Sequence, residues 1–323
     1  MLRSSFGKFV ATLVALCGFA AAPALAQESW PSKPVRMVVP FPPGGSNDVI
    51  ARQLAQHLSQ RLGQSFVIDN RGGGGGSIGA NVVATAAADG YTLLFVSNSL
   101  ATSASVQKVP YDPVRSFDPV YRVASAPFVI VTRTNFPAKN VSELVEYAKA
   151  NPGKLNYGSA GVGDNSALAT ELLSSVAGFQ ITAVNYKGTG PALLDLLAGR
   201  IDLTITSIAS LRGTAADKLP MLAFTGEQRE ADYPAVPTVK ESGFDYVVGL
   251  WWGVFAPAGV PPKIRDRLNV EIASIVKSPE FASFLKTVGA NPSTSTSEEL
   301  RAQVEQDVRR WTATARKAGF APQ

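Results

Sequence analysis

The chain has 323 residues, a formal net charge of +5 and a single cysteine, Cys17. This length is enough for two domains of ordinary size. Disulfide bridges and thiolate metal sites are excluded after Cys17, and the scattered positive charge forms no basic stripe of the kind that would indicate a nucleic-acid partner.

Residues 1–26, "MLRSSFGKFVATLVALCGFAAAPALA", are typical of a secretory signal peptide. Arg3 and Lys8 precede an uncharged apolar run, and small residues at Ala24 and Ala26 predict cleavage before Gln27. The mature protein is therefore expected in a bacterial periplasm.

Two alternatives for this segment are weaker. A transmembrane anchor needs roughly 20 apolar residues, and this run is interrupted by Gly18 and Pro23. A lipoprotein signal through Cys17 is disfavoured because Leu16 stands where a small residue is expected.

Strand-like and helix-like segments then alternate along the chain. "VRMVVP" precedes a helix from Ser46, "FVID" precedes the helix "SIGANVVATAAA", and "YTLLFVS" completes a βαβαβ unit. A second unit starts near residue 125 and contains "FVIVTR", "VSELVEYAKA", "LNYGS", "NSALATELLSSVA", "ITAVNY", "PALLDLLAG", "IDLTITS" and "LPMLAFT". This alternation predicts an α/β fold with doubly wound parallel sheets.

Two such units predict two lobes separated by a cleft and joined by crossing strands. The predicted lobe 1 comprises residues 27–124 and 250–323, and the predicted lobe 2 comprises residues 125–249. The tail after residue 250 reads as mostly helical, with Trp251 and Trp252 packed at the crossover. Thr296 and Glu299 predict a capping box, and an apolar stripe follows at Leu300, Val304, Val308, Trp311 and Ala315.

The stretch "PFPPGGSNDVIAR", residues 40–52, lies between a strand and a helix. Gly44 and Gly45 can direct successive amides toward one point, and the helix N-terminus favours an anion. Ser46 is the predicted N-cap. Asp48 in the first turn either competes with a bound anion or accepts from a ligand amine or from the facing lobe. No lysine is present, so a carboxylate fits better than a triphosphate. A simple tight turn is the structural alternative.

The stretch "LNYGSAGVGDNSALATELL" repeats this design in the second unit. Ser159, Gly161 and Gly163 can present donors, and Asp164 or Asn165 caps the helix. Two such loops, one in each lobe, predict a ligand bound from both sides.

Other apparent motifs have structural interpretations. "GGGSIGA" at 74–80 matches a dinucleotide fingerprint but lacks the acid about 20 residues later, so it reads as a glycine turn beside the cleft. His57, the only histidine, reads as a packed helix residue. The sequence predicts neither a cofactor nor a metal site.

Several long motifs occur in the order found in one family. They are "WPSKPVRMVVPFPPGGSNDVIAR", "NRGGGGGSIGANVVATAAADGYTLL", "YDPVRSFDPV", "LNYGSAGVGDNSALATELL", "VNYKGTGPALLDLLAGRIDL", "YPAVPTVKESGF" and "WWGVFAPAGVPP". The chain resembles, over essentially its whole length, the receptors of tripartite tricarboxylate transporters, the TctC or Bug (Bordetella uptake gene) family.

The resemblance implies a type II periplasmic-binding-protein fold, a Venus flytrap whose C-terminal segment returns to the first lobe. It also implies a carboxylate ligand: an amino acid, an aromatic acid or a di- or tricarboxylate. Carried over to this chain, the implied ligand-binding residues are Phe41, Gly45, Ser46, Asn47, Asp48, Ser97 and Asn98 in lobe 1, and Ser159, Ala160, Gly161 and Asn165 in lobe 2. Many relatives have a histidine near the start of the second-lobe helix, and "DNSALA" has none.

The implied function is a monomeric receptor, not an enzyme, that delivers a small carboxylate to membrane transporter subunits. Two alternatives remain open at this point. One is an exported serine hydrolase that uses Ser46 or Ser159 with His57 as base, and the other is a ligand sensor for a signalling partner.

Overall fold

A computed structural model describes residues 30–317. The predicted signal peptide, its cleavage site and Cys17 lie outside the described residues. Within 30–317, no helix combines the length and the apolar character needed to cross a bilayer.

The first half of the chain builds most of a six-stranded sheet, whose strand order is β11-β4-β10-β3-β1-β2. Its first strands and helices alternate as the apolar pattern predicts. They are β1 (Val35–Val39), α1 (Ser46–Leu62), β2 (Phe66–Asn70), α2 (Ser77–Ala84), β3 (Thr92–Ser97), α3 (Ser99–Val106) and β4 (Phe117–Pro127).

The middle of the chain builds a five-stranded sheet with the order β7-β6-β8-β5-β9. Its elements are β5 (Val129–Thr132), α4 (Val141–Ala150), β6 (Asn156–Ser159), α5 (Asn165–Ala177), β7 (Thr182–Asn185), α6 (Thr189–Leu197), β8 (Leu203–Thr206), α7 (Ile208–Gly213) and β9 (Met221–Phe224).

The last part of the chain returns to the six-stranded sheet. It forms β10 (Gly249–Pro257), α8 (Pro262–Val276), α9 (Pro279–Thr287), β11 (Asn291–Pro292) and α10 (Ser297–Lys317). α10 packs on α3 and β4. The indole of Trp251 donates a 2.7 Å hydrogen bond to Asp307 on α10, which fixes the last helix to this sheet.

The capping box at the start of α10 is confirmed. The Thr296 amide donates to the Glu299 carboxylate at 2.8 Å, and the Glu299 amide donates to the Thr296 hydroxyl at 3.1 Å. Of the predicted stripe, Leu300, Val304, Trp311 and Ala315 are buried, while Val308 is partly buried against the cluster that contains Leu300 and Val304.

Two features differ from the predicted pattern. Both sheets are mixed rather than purely parallel, because β10 pairs antiparallel with β3 and β4, and β5 pairs antiparallel with β8 and β9. The tail that was predicted to be mostly helical begins with a strand, β10. Both differences have one cause: the chain crosses between sheets in extended strands, which arrive in the opposite direction from the βα units.

The two sheets meet at a tight crossing. β4 ends at Pro127 and β5 begins at Val129, so only Phe128 separates a strand of one sheet from a strand of the other. Thr225, fully buried, links the two crossing segments. Its hydroxyl donates to the Val248 carbonyl at 2.7 Å and accepts from the Phe128 amide at 2.9 Å. The fold is therefore the two-lobed periplasmic-binding-protein fold, whereas the exact lobe boundaries stay a prediction.

Candidate functional site

A small cavity of about 20 Å³ lies between the two sheets. On this scale the volume corresponds to about one water molecule, so any larger ligand enters only when the walls move apart. The wall on the side of the six-stranded sheet is formed by Phe41, Gly45, Ser46, Asn47, Ser97 and Leu250, and the opposite wall by Phe128, Asp164, Asn165, Ser166, Thr189, Ile205, Thr206, Ser207 and Ser210.

Helix N-termini meet at this cavity because it lies beyond the carboxyl ends of β1, β6, β7 and β8, where each strand leads into a helix. α1 begins at Ser46, α5 at Asn165 and α6 at Thr189, and all three residues line the cavity. First-turn amides have no partner within their own helix, and the helix dipole is positive at this end. The cavity wall therefore favours an anionic group.

Side-chain hydroxyls add neutral donors at the same place. Ser207 caps α7 by accepting from the Ser210 amide at 3.2 Å, and its hydroxyl donates to the Ser210 hydroxyl at 3.2 Å. Among the described residues that line the cavity, none is lysine, arginine or histidine. An anion held here would be bound by amides and hydroxyls rather than by a cationic side chain.

The predicted first-lobe loop reaches the cavity through α1. Gly44 has a φ of 90°, in the left-handed region that favours glycine. Its amide donates to the Asp48 carboxylate at 3.1 Å. Arg52 forms a two-pronged pair with Asp48, at 2.9 Å from Nε and 2.8 Å from Nη2. The charge of Asp48 is thus balanced, and α1 keeps an N-terminus suited to an anion.

Two buried polar atoms in the cavity wall lack a hydrogen-bond partner within residues 30–317: Asn47 Oδ1 and Thr206 Oγ1. Both residues line the cavity, with only 8 % of Asn47 and 2 % of Thr206 exposed. Because buried polar groups are normally hydrogen-bonded, these two atoms mark positions where a ligand or an ordered water would bond.

Asp164 places a carboxyl group in the opposite wall, 3 % exposed. Burial raises the pKa of Asp164, while hydrogen bonds from Ser166, Asn165 and Ala160 act to lower it. One of these bonds, from the Ser166 amide at 2.8 Å, makes Asp164 the N-cap of α5. The sequence offered Asp164 or Asn165 as cap, and the structure selects Asp164.

Hydrogen bonds join the two walls directly. The Ser46 amide donates to the Ser210 hydroxyl at 3.0 Å. The Asn165 amide group donates to Asn98 at 2.8 Å and to Ser97 at 3.2 Å. These bonds span the cleft, so the structure is a closed form of the two lobes.

Glycines allow the walls to come this close. A Cβ atom on Gly213 would overlap the Gly44 carbonyl oxygen, and one on Gly75 would overlap the Val162 carbonyl oxygen. In both pairs the two backbones belong to different lobes. The "GGGGG" segment, read from the sequence as a glycine turn beside the cleft, thus lies in the seam where the lobes close.

The structure brings six of the predicted binding residues to the cavity: Phe41, Gly45, Ser46, Asn47, Ser97 and Asn165. The other five lie next to it and bond elsewhere. Asp48 pairs with Arg52, Asn98 accepts from Asn165, and the Ser159 hydroxyl donates to Asn185 at 2.7 Å. The amides of Ala160 and Gly161 donate to the hydroxyls of Ser166 and Ser159. Which of these residues contact a ligand stays a prediction.

Sequence reasoning did not select Thr189, Thr206, Ser207 or Ser210 as binding residues, although all four line the cavity. Thr206 ends the apolar strand β8 and Ser207 directly follows it, which is a recognisable signal for this edge of a sheet. The segment lacks glycine, and this made it less conspicuous than the other two loops.

The alternative chemistry assigned to His57 finds no support in its position. Its ring packs edge-on against Phe281, with 5.6 Å between ring centroids, and bonds Gln53 at 3.3 Å. His57 does not line the cavity. The part of the chain that the structure describes also contains no group of His, Cys, Asp and Glu arranged to hold a metal ion.

Comparison with known proteins identifies the family. Residues 50–320 match the family TctC, described as "Tripartite tricarboxylate transporter family receptor". The chain belongs to this family. Among its relatives, Protein BugT of Bordetella pertussis is 36% identical over 323 residues, covering 98% of this chain and 97% of BugT. A protein from Pseudomonas sp. strain P51 is 38% identical over 290 residues, covering 88% of this chain and 86% of the relative.

Solved structures agree with this assignment. The periplasmic binding protein BugD superposes with a TM-score of 0.87 at 36% identity, covering 91% of this chain and all of BugD. An R. palustris protein solved with adipate superposes with a TM-score of 0.87 at 37% identity, covering 91% of this chain and 100% of that protein. MatC from Rhodopseudomonas palustris with bound malate superposes with a TM-score of 0.84 at 30% identity, covering 88% of this chain and 99% of MatC. This TctC-family chain is a periplasmic solute-binding protein rather than an enzyme.

Replacing Gly213 of this TctC-family protein by alanine should weaken ligand binding by about tenfold without unfolding the protein. Alanine is favoured in the helix α7, but its Cβ would meet the Gly44 carbonyl only when the lobes close. Overpacking of this kind costs about 1–3 kcal/mol, and 1.4 kcal/mol is a tenfold change in affinity. Isothermal titration with a carboxylate ligand measures the change.

Gly190→Ala is the matched control. Its Cβ would lie 3.4 Å from the Pro43 carbonyl oxygen, an ordinary contact across the same seam. Equal affinities of the Gly213→Ala and Gly190→Ala variants would contradict the role assigned to the glycine seam.

Proposed function

We propose that this protein binds a small carboxylate between its lobes in the periplasm and delivers it to the membrane subunits of a tripartite tricarboxylate-type transporter. The observation that carries the proposal is the cavity wall, where three helix N-termini and several hydroxyls meet with no cationic side chain lining it. Such a wall suits a carboxylate, whose charge is small enough to be balanced by amide and hydroxyl donors alone.

Charge-assisted hydrogen bonds can supply the affinity that a receptor needs. Each contributes about 1.5–3 kcal/mol, and a micromolar dissociation constant corresponds to about 8 kcal/mol. A few such bonds, together with water exclusion on closure, suffice after the cost of association. Because the donors lie on both lobes, the ligand binds the closed form more tightly and shifts the protein toward it.

The two relatives with bound ligands support a carboxylate over other anions. One was solved with adipate and the other with malate. A secretory signal peptide at residues 1–26, cleaved before Gln27, supplies export to the periplasm. The family to which the chain belongs, described as a transporter receptor, supports delivery to transport subunits.

A thermal-shift screen of residues 27–323 tests the proposed ligand class. The panel comprises amino acids, aliphatic di- and tricarboxylates and aromatic acids, each with a matched non-acidic analogue such as the corresponding alcohol or amide. Ligand in hundredfold excess over its dissociation constant stabilises the folded state by about 2.7 kcal/mol. A shift with one carboxylate class and none with its analogues is expected, whereas folded, ligand-stripped protein that no carboxylate stabilises would contradict the proposal.

Asn47→Ala should weaken binding of the carboxylate identified in this screen by roughly tenfold while leaving the free energy of unfolding nearly unchanged. Asn47 Oδ1 has no hydrogen-bond partner in the described protein, so its removal breaks no bond within the fold. Oδ1 is an acceptor, so it can bond a ligand O–H or N–H group or a water that bridges to the carboxylate, and such a bond contributes about 1 kcal/mol or more. Titration calorimetry and urea denaturation measure the two effects.

Asn81→Ala provides the comparison. Asn81 Oδ1 also lacks a partner within the described residues, but Asn81 does not line the cavity. Its removal should leave the affinity unchanged. Equal affinity of the Asn47→Ala variant and the unaltered protein would exclude Asn47 from the binding site.

A further inference from the structure

The two helices that face each other at the cavity carry acidic residues with different surroundings. In the first turn of α1, Asp48 is bound by both Nε and Nη2 of Arg52. At the N-cap of α5, Asp164 forms no ion pair with any residue in the described range 30–317. One wall of the cavity is therefore balanced in charge, and the other carries an unpaired acid.

The groups around Asp164 are hydrogen-bond donors or further acids. The donors are the Ser166 amide and hydroxyl and the amides of Asn165 and Ala160. Nearby Tyr157 donates its hydroxyl to Glu171 at 2.7 Å. Among the described residues, none of the groups that act on the pKa of Asp164 is a cation. Burial raises the pKa of Asp164, and the donors that bond its carboxyl oxygens oppose that shift because they favour the charged form.

The part of the cavity wall formed by α1 and α7 is rich in donors. Here the α1 N-terminus meets α7, and the Ser46 amide contacts the Ser210 hydroxyl. Ser46, Ser207 and Ser210 all line this part of the cavity wall, and none of them is an acid. A ligand carboxylate therefore has a favourable place near Ser46 and Ser210, and an unfavourable one near Asp164.

We propose that Asp164 makes this receptor select ligands with one carboxylate and one cationic amine over ligands with two carboxylates. This inference rests on the proposed function. The carboxylate of the ligand lies at the end formed by Ser46 and Ser210, and the ammonium group faces Asp164. A second carboxylate in that position would either meet the like charge of Asp164 or require Asp164 to bind a proton, and both weaken binding, whereas an ammonium group supplies the cation that Asp164 lacks.

Length-matched probes test the charge preference. The pairs are succinate with 4-aminobutanoate, adipate with 6-aminohexanoate, and terephthalate with 4-(aminomethyl)benzoate. In each pair one carboxylate is replaced by a methylene-ammonium group at nearly constant length. Titration calorimetry of residues 27–323 is expected to give at least about tenfold tighter binding for the amino member of every pair that binds.

Asp164→Asn is the informative variant. Asparagine caps a helix N-terminus as well as aspartate does, so α5 and the fold are expected to stay intact by circular dichroism. The ratio of affinities, amino acid over dicarboxylate, should fall by about tenfold or more. Asp112→Asn removes the same charge from a partly exposed turn outside the cavity, and there the ratio should not change.

The outcomes separate this inference from the proposed function. Tighter binding of the dicarboxylates by the unaltered protein, or an unchanged ratio in Asp164→Asn, would overturn the role of Asp164 and leave the carboxylate receptor intact. Failure of all six probes and of every carboxylate in the wider panel would overturn both.

Discussion

Close approach of two backbones across the cleft is the constraint on which the rest of this structure depends. Gly44 and Gly75 on one side meet Gly213 and the Val162 carbonyl on the other, at separations that leave no room for a Cβ atom on Gly213 or Gly75. This contact brings the N-termini of α1 and α5 into one enclosed space. Enclosure matters because hydrogen bonds and dipoles act more strongly where water is excluded. The tight crossing at Phe128 and Thr225 keeps the two lobes in register for this contact.

The electrostatic design follows from that geometry. Amides and hydroxyls, rather than lysine or arginine, supply the positive potential in the described cavity wall. Such donors are fixed by the fold and lose little side-chain entropy on binding, so they favour a defined orientation of a carboxylate. The acids then decide what else can bind. Arg52 neutralises Asp48 beside α1, whereas Asp164 beside α5 stays without an ion-pair partner in the described range. The N-termini of α1 and α5 therefore differ in the charge of the ligand group that each favours.

Local sequence signals predicted a good part of this arrangement. The apolar run before "PFPPGG", the glycines and Ser46 indicate a strand-to-helix turn, although the N-cap of α1 is Gly45 rather than the predicted Ser46. Ser97 ends the strand β3, whose carboxyl end lies at the same edge. Ser207 and Ser210 were not predicted because no glycine stands beside them, and because the bond between Ser46 and Ser210 joins residues far apart in sequence. The strand character of "WWGVFAP" also depends on distant partners, β3 and β4. By contrast, the pairing of Asp48 with Arg52 has a four-residue spacing that is visible in the sequence. This pairing resolves the predicted conflict between the charge of Asp48 and a bound anion.

A crystal structure of residues 27–323 with the carboxylate that gives the largest thermal shift tests the central claim most directly. The account predicts one ligand carboxylate in the cavity between the lobes, with its oxygens about 2.7–3.2 Å from first-turn amides of α1 and from the hydroxyl of Ser207 or Ser210. No lysine or arginine side chain should contact that carboxylate. A ligand held by a lysine or arginine side chain, or bound outside this cleft, would contradict the account.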